Sequence, residues 1–198
     1  MLTMDKEQIN PNIGDIIKFG GYDWRVLDTQ DDKALLLSDK IVGRIFYHKP
    51  RRHEKTTWAE CNLRSYLNSR FYVSLSKDKA RIVETKIITS NNIWYGTDGG
   101  ATTSDRVFLL SIEEVIRYFG DSGQLKSRPD NDWRIDDKFN AARLATNERG
   151  EALWWWLRSP GLDSDHVVFV SSDGTMHVHG TPFINDPSGV RPALWLNL

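Results

Sequence analysis

Cysteine is nearly missing from this 198-residue chain: Cys61 stands alone. That excludes an internal disulfide, a four-thiolate zinc site and a CxxC redox motif. Nor is there an excess of either charge. Lys and Arg total 26 against 27 Asp and Glu, a formal net charge of −1. General attraction to nucleic acid or to an anionic membrane needs concentrated positive charge, so neither partner is expected. One local exception is the basic run Lys49-Pro50-Arg51-Arg52-His53, read as a solvated loop or an anion-binding patch. No run of about 18 apolar residues is present, so no membrane insertion is expected. The first residues lack a basic segment followed by an apolar run. The expectation is therefore a cytoplasmic protein, unless another route delivers it to a surface or virion. No Ser/His/Asp arrangement, phosphate-cradling glycine loop or paired-carboxylate motif stands out either.

What is present fits one soluble domain. Hydrophobic residues make up 39% and charged residues 27%, and this length buries a core without staples. Residues 1–13 read as a polar leader and 14–198 as a single domain, with no internal repeat and no linker. Ile16 to Phe19 reads as a strand, Gly20-Gly21 as a turn, and Tyr22, Trp24 and Val26 alternate with polar residues. A third strand begins at Ala34, which makes an opening meander. Thr57-Trp58-Ala59-Glu60 has the form of a capping box ahead of Leu63, Leu67 and Phe71, one apolar helical stripe. Ser76 is read as the cap of a shorter helix. After a strand-like stretch over 107–110, Ser111-Ile112-Glu113-Glu114 forms a second capping box, and Gly120 stands where that helix should end.

The C-terminal third carries the strongest motifs. Trp154-Trp155-Trp156-Leu157-Arg158-Ser159-Pro160-Gly161 is followed by a hairpin and then by Ser188-Gly189-Val190-Arg191-Pro192-Ala193-Leu194. Together with residues 57–71 and 107–114, these blocks resemble a bacterial family of domains of unknown function. That family is similar to the C-type-lectin-like fold of formylglycine-generating enzymes and of retroelement-diversified binding proteins. The resemblance implies an α+β fold, with twisted antiparallel sheets flanked by two main helices and the first and last strands paired. It also implies that irregular loops form the working surface. For Arg158 and Arg191 two readings stand: carboxylate binders, or guanidinium groups tying loop carbonyls together.

Asp173-Gly174, flanked by alternating residues, predicts a two-residue hairpin turn. In that register Val170 opposes His177, Val168 opposes His179, and His166 opposes Thr181. His166, His177 and His179 then share one sheet face, with Val167, Phe169, Met176 and Val178 on the core side. Such a face reads as a metal set, a ligand contact or a plain exposed surface. His177 and His179 lie about 6.6 Å apart along a strand, which weighs against a shared ion. Asp163, Asp165 and Asp186 are candidate calcium ligands, but Asn185-Asp186-Pro187 does not match sugar-binding lectin motifs. No cofactor or metal is expected.

The functional expectation is a non-catalytic module recognising a protein or carbohydrate. Its candidate ligand-binding residues are Trp94, Tyr95, Trp133, Asp163, Asp165, His166, His177, His179, Asn185 and Asp186. A retroelement-diversified variable protein is one special case. The alternatives are a metal-dependent oxidase related to formylglycine-generating enzymes, and a structural subunit of a phage or surface assembly. The first of these has only Cys61 where those oxidases use paired cysteines.

Overall fold

A computed structural model describes residues 11–49, 55–75, 77–129, 132–183 and 187–198. Asn185, Asp186, Ser76 and most of the basic run, residues 50–53, lie outside the described residues. The opening meander forms as the alternation predicts. β1 (Ile16–Phe19) turns at Gly20 and Gly21, both at positive φ, into β2 (Tyr22–Gln30), and β3 (Lys33–Ser38) follows. The remaining strands are β4 (Gly43–Ile45), β5 (Ile82–Val83), β6 (Thr85–Ile87), β7 (Thr103–Asp105), β8 (Arg134–Ile135), β9 (Trp155–Pro160), β10 (His166–Val170), β11 (Met176–Pro182), β12 (Ser188–Val190) and β13 (Ala193–Asn197).

They build a five-stranded sheet in the order β1-β2-β3-β13-β5, a six-stranded sheet in the order β4-β12-β9-β10-β11-β8, and the ribbon β6-β7. The final strand does close on the opening meander, with Ala193 opposite Leu37 and Asn197 opposite Lys33. Its partner, however, is β3. The expected pairing of first and last strands is corrected: β1 lies at the sheet edge, with β2 and β3 between it and β13. The physical reason is the apolar run Ala34 to Leu37, buried throughout, which needs a strand on each side. β1, with Ile16 and Lys18 facing out, suits an edge. Pairing is antiparallel apart from one parallel contact, Gly189 beside Trp155. There Gly189 N–H donates to the Trp154 carbonyl at 3.0 Å. A Cβ on Gly189 would come within 2.7 Å of that oxygen, so a side chain does not fit.

Two main helical elements flank the sheets. The first runs from α1 (Asn62–Tyr66) through a π-helical segment, Leu67–Phe71, into α2 (Tyr72–Ser74), burying Leu63, Leu67 and Phe71 as expected. Its cap is not the expected one. Residues 57–60 form a turn, and Cys61 caps the helix by accepting from the Arg64 N–H on its sulfur at 3.3 Å. Trp58 explains the shift: it is buried and donates its indole N–H to Asp105 at 2.9 Å, so the turn serves the core instead of the helix end. The second helix, α3 (Ile112–Phe119), has both arms of the Ser111–Glu114 capping box and ends at Gly120. A short α4 (Asn140–Arg143) follows. Residues 107–110 are buried but make only a bridge, Phe108 with Ala193, and no full strand.

Tryptophans centre the core. Trp24, Trp155 and Trp156 are wholly enclosed, and their indole N–H groups donate to the carbonyls of Phe19, Arg143 and Ile45. A buried indole without an acceptor would be costly, so each placement is fixed by a bond as well as by volume. Arg158 and Arg191 tie carbonyls together, the second of the two readings above. Arg158 donates to the Leu109 and Ile88 carbonyls and forks onto the Glu114 carboxylate, and Arg191 donates to the Ser38 and Asp39 carbonyls.

Candidate functional site

The hairpin of β10 and β11 forms, but one residue out of the expected register. Ser171 N–H donates to the Thr175 carbonyl at 2.8 Å, and Gly174 N–H returns to the Ser171 carbonyl at 3.0 Å. The loop therefore holds three residues, with Gly174 at φ 85° as its bulge residue. Val170 consequently faces Met176, and Phe169 faces His177. A one-residue slip inverts the faces. Val168 and Val170 are fully buried, while Phe169 joins the histidine side, the reverse of the expectation. Gly174 carries the reason for this turn. α4 packs so closely that a Cβ there would sit 1.9 Å from the Asn140 carbonyl oxygen.

A second irregularity separates the histidines. Between the pairs Phe169/His177 and Val167/Thr181, β11 contains two more residues than β10, accommodated at Gly180 with φ 76°. His166 ends opposite Pro182 and does not join the other two imidazoles. Its Nδ1 instead lies 2.7 Å from Asp163 Oδ1 and 2.5 Å from Asp165 Oδ1. Among the described residues these three form the one group whose donor atoms lie close enough, within 4.8 Å, to hold a cation. The three-histidine metal set is not formed. Partial burial works to raise the Asp163 carboxyl, but hydrogen bonds with the Asp165 and His166 side chains outweigh it and hold it below the ordinary value.

His177 and His179 pack together, ring centroids 5.7 Å apart, beneath Trp133. The indole meets both edge-on, at 5.0 Å and 4.4 Å, and stays 43% exposed. β8 positions it: Arg134 pairs with His177, so the Trp133 carbonyl accepts from the His179 N–H at 3.2 Å and from its Nδ1 at 3.3 Å. On the other side His177 lies against Phe169, which in turn meets Trp154 at 5.1 Å. Trp133, the two imidazoles, Phe169 and Trp154 thus form a row of rings that runs from the residue before β8, across β11 and β10, to the residue before β9.

Donor accounting fixes the free nitrogens. Thr175 gives its hydroxyl proton to Asp173 at 2.8 Å, so the 3.2 Å contact with His177 Nε2 is donated by the imidazole. His177 Nδ1 then carries a bare lone pair, and by the same logic so does His179 Nε2. Burial, then the neighbouring His179 and Arg134, push His177 down to about 4, and burial lowers His179 as well. Both imidazoles are neutral at pH 7.

Trp94 and Tyr95 belong to a loop organised by Asn92. Its Oδ1 accepts from both of their backbone N–H groups, and its Nδ2 donates to the carbonyls of Pro160 and Val178. The loop is thereby sewn to β9 and β11. Arg128 covers both rings, 4.9 Å from Trp94 and 5.0 Å from Tyr95, and donates to the Asp132 carbonyl at 2.7 Å beside Trp133. Trp94 is half-buried and donates its N–H to the Leu125 carbonyl. The sequence does not single out Asn92, Arg128, Phe169 or Trp154 as binding residues. The adjacent turn-formers mark Asn92 as a loop organiser, whereas the partners of Arg128 depend on the fold alone.

A family model described as "Domain of unknown function (DUF6273)" matches residues 31–198, which takes in every group just described. The chain belongs to the DUF6273 family. No curated protein and no solved structure matches it. Within this DUF6273 chain, β1 and the whole of β2 precede the matched stretch. No helix among the described residues is long and apolar enough to cross a membrane.

Proposed function

We propose that this DUF6273 chain is a non-catalytic binding module of C-type-lectin-like build whose ligand is a carbohydrate. The observation that carries it is the Trp133 indole, large and 43% exposed, yet held by edge-type contacts with two imidazoles and by the strand pairing of Arg134. An exposed aromatic fixed beforehand binds without further ordering cost. Its face suits the C–H side of a sugar ring. The bare nitrogens of His177 and His179, and the exposed carboxylates of Asp163 and Asp165, suit sugar hydroxyls, which donate to such acceptors.

The return of β13 into the sheet of the opening meander supports the C-type-lectin-like assignment, as does the gathering of loops 91–100 and 161–165 beside the hairpin. Thiol oxidation of the formylglycine-generating kind finds no support at Cys61. Its sulfur is buried against α1, and burial pushes the thiol up to about 12.

The test is a saccharide array probed with the native chain and with Trp133→Ala, each with and without EDTA. Saturable binding that is lost in the variant and indifferent to EDTA supports the reading. Binding that persists without the indole, or disappears with EDTA, contradicts it. Absence of glycan binding, with capture of a purified protein partner through Trp133, moves the ligand class to protein.

A further inference from the structure

A second cleft lies apart from the ring row. It is about 540 Å³ in volume and is lined by residues of β2, α3 and α4, Arg25 and Phe119 among them, together with Asp39, Leu144 and Arg191 from the segments between elements. Its size is in the range of small-molecule sites. Among its lining residues the charges are Arg25, Arg191 and Asp39, which sum to +1.

Three arginines among the described residues are buried, and a buried guanidinium ordinarily has a carboxylate beside it. Arg143 has Asp137, and Arg158 has Glu114. Arg191, 3% exposed, has only carbonyl oxygens, Ser38 at 2.9 Å and Asp39 at 3.4 Å. Its Nη1 finds no acceptor among the described residues. Phe119 and Trp155 flank the group, with centroids 5.7 and 5.2 Å away. The carboxylate of Asp39, whose charge also acts on Arg191, is already bonded to Arg25 at 2.9 Å. Burial, and then the Arg25 charge, pull Arg191 down to about 10 against the opposing effect of Asp39. It is a cation short of an anion, beside a cleft with apolar walls at Val26, Leu27 and Leu144.

We propose that this cleft binds a small monocarboxylate with a compact apolar body, its carboxylate held between the half-exposed Arg25 and the buried Arg191. The apolar body rests against Phe119 and Leu144. This site is independent of the carbohydrate face.

The experiment titrates the chain with 3-phenylpropionate and with the neutral 3-phenylpropanamide, by calorimetry and by amide NMR. The acid should bind one to one with shifts around residues 25, 119 and 191, and the amide at least about tenfold more weakly, since charge-assisted bonds are the stronger ones. Leu144→Trp fills the cleft from an exposed wall position and should abolish binding without lowering Tm. Arg25→Gln should weaken the acid about tenfold and leave the amide unchanged. Trp133→Ala should have no effect. The proposal is overturned if the acid gives no saturable signal at about 10 mM, if acid and amide bind alike, or if Leu144→Trp binds as the native chain does.

Discussion

The imidazole of His177 lies flat on Phe169, with ring centroids 4.4 Å apart and planes 20° from parallel. This contact exists because the three-residue loop at Asp173-Gly174 sets Phe169 opposite His177. It covers one face of the ring while Trp133 covers an edge. Burial is the largest reason that His177 titrates at about 4. Phe169→Ala should therefore raise the His177 pKa toward the ordinary value of about 6.5, read from the imidazole protons by NMR. An unchanged titration would mean that the ring stack does not desolvate the histidine.

The same shift sets a pH dependence of stability. Above about pH 6.5 His177 is neutral both folded and unfolded and contributes no slope. Between about 6.5 and 4 the unfolded chain takes up the proton and the folded chain does not, so stability falls as pH falls. Below about 4 both states are protonated and the loss levels off. His179 acts in the same direction. Allowing for partial exposure of the ring, the loss is on the order of 1–2 kcal/mol. Thermal unfolding at intervals across this window should show it, and His177→Gln should flatten the slope. A native slope that survives this substitution assigns the effect to other groups.

Glu114 has two tasks: it completes the capping box of α3 and neutralises Arg158. Gln at this position preserves the cap but leaves a 4% exposed guanidinium without its counter-ion. Glu114→Gln should cost about 2–3 kcal/mol, below the range for a fully enclosed pair because Glu114 is itself partly exposed. Glu113→Gln, one residue away with no such partner among the described residues, is the control. Urea unfolding midpoints compare them, and equal losses would refute the pairing.

Gly174 can be tested directly. Its φ of 85° and the 1.9 Å approach of the Asn140 oxygen leave no space for a methyl group. Gly174→Ala should cost more than about 2 kcal/mol, combining backbone strain with displacement of α4. A variant as stable as the native chain, with unchanged amide shifts at Asn140, would show that the turn is not locked by α4.

Much of the frame is legible in the sequence because local chemistry and tertiary need agree there. Gly20-Gly21 turns β1 into β2, Ser111 and Glu114 cap α3, and Leu63, Leu67 and Phe71 face inward. The misses occur where tertiary packing overrides a local signal. Asp-Gly is equally at home in two- and three-residue loops, and only the approach of α4 separates them. Trp58 forgoes helix capping for Asp105 and the core. In the site, His177, His179 and Trp133 come together through the pairing of β8 with β11, a two-residue strand too short to read from periodicity. Strand alternation groups His166 with the other imidazoles, because it takes no account of the extra residues at Gly180. The role of Arg128, holding Trp94 and Tyr95 beside Asp132, rests on contacts between loops, which leave no local pattern.

The central claim is that the ring row on the six-stranded sheet is a recognition surface. The most direct measurement is the affinity of an array-identified saccharide for the native chain against Trp133→Ala, with Trp94→Ala as a comparison. Loss of Trp133 should weaken binding at least about a hundredfold, as for a central aromatic anchor, while Tm changes little. Equal affinity in both chains, or a site mapped by NMR to residues remote from 133, 177 and 179, would contradict it.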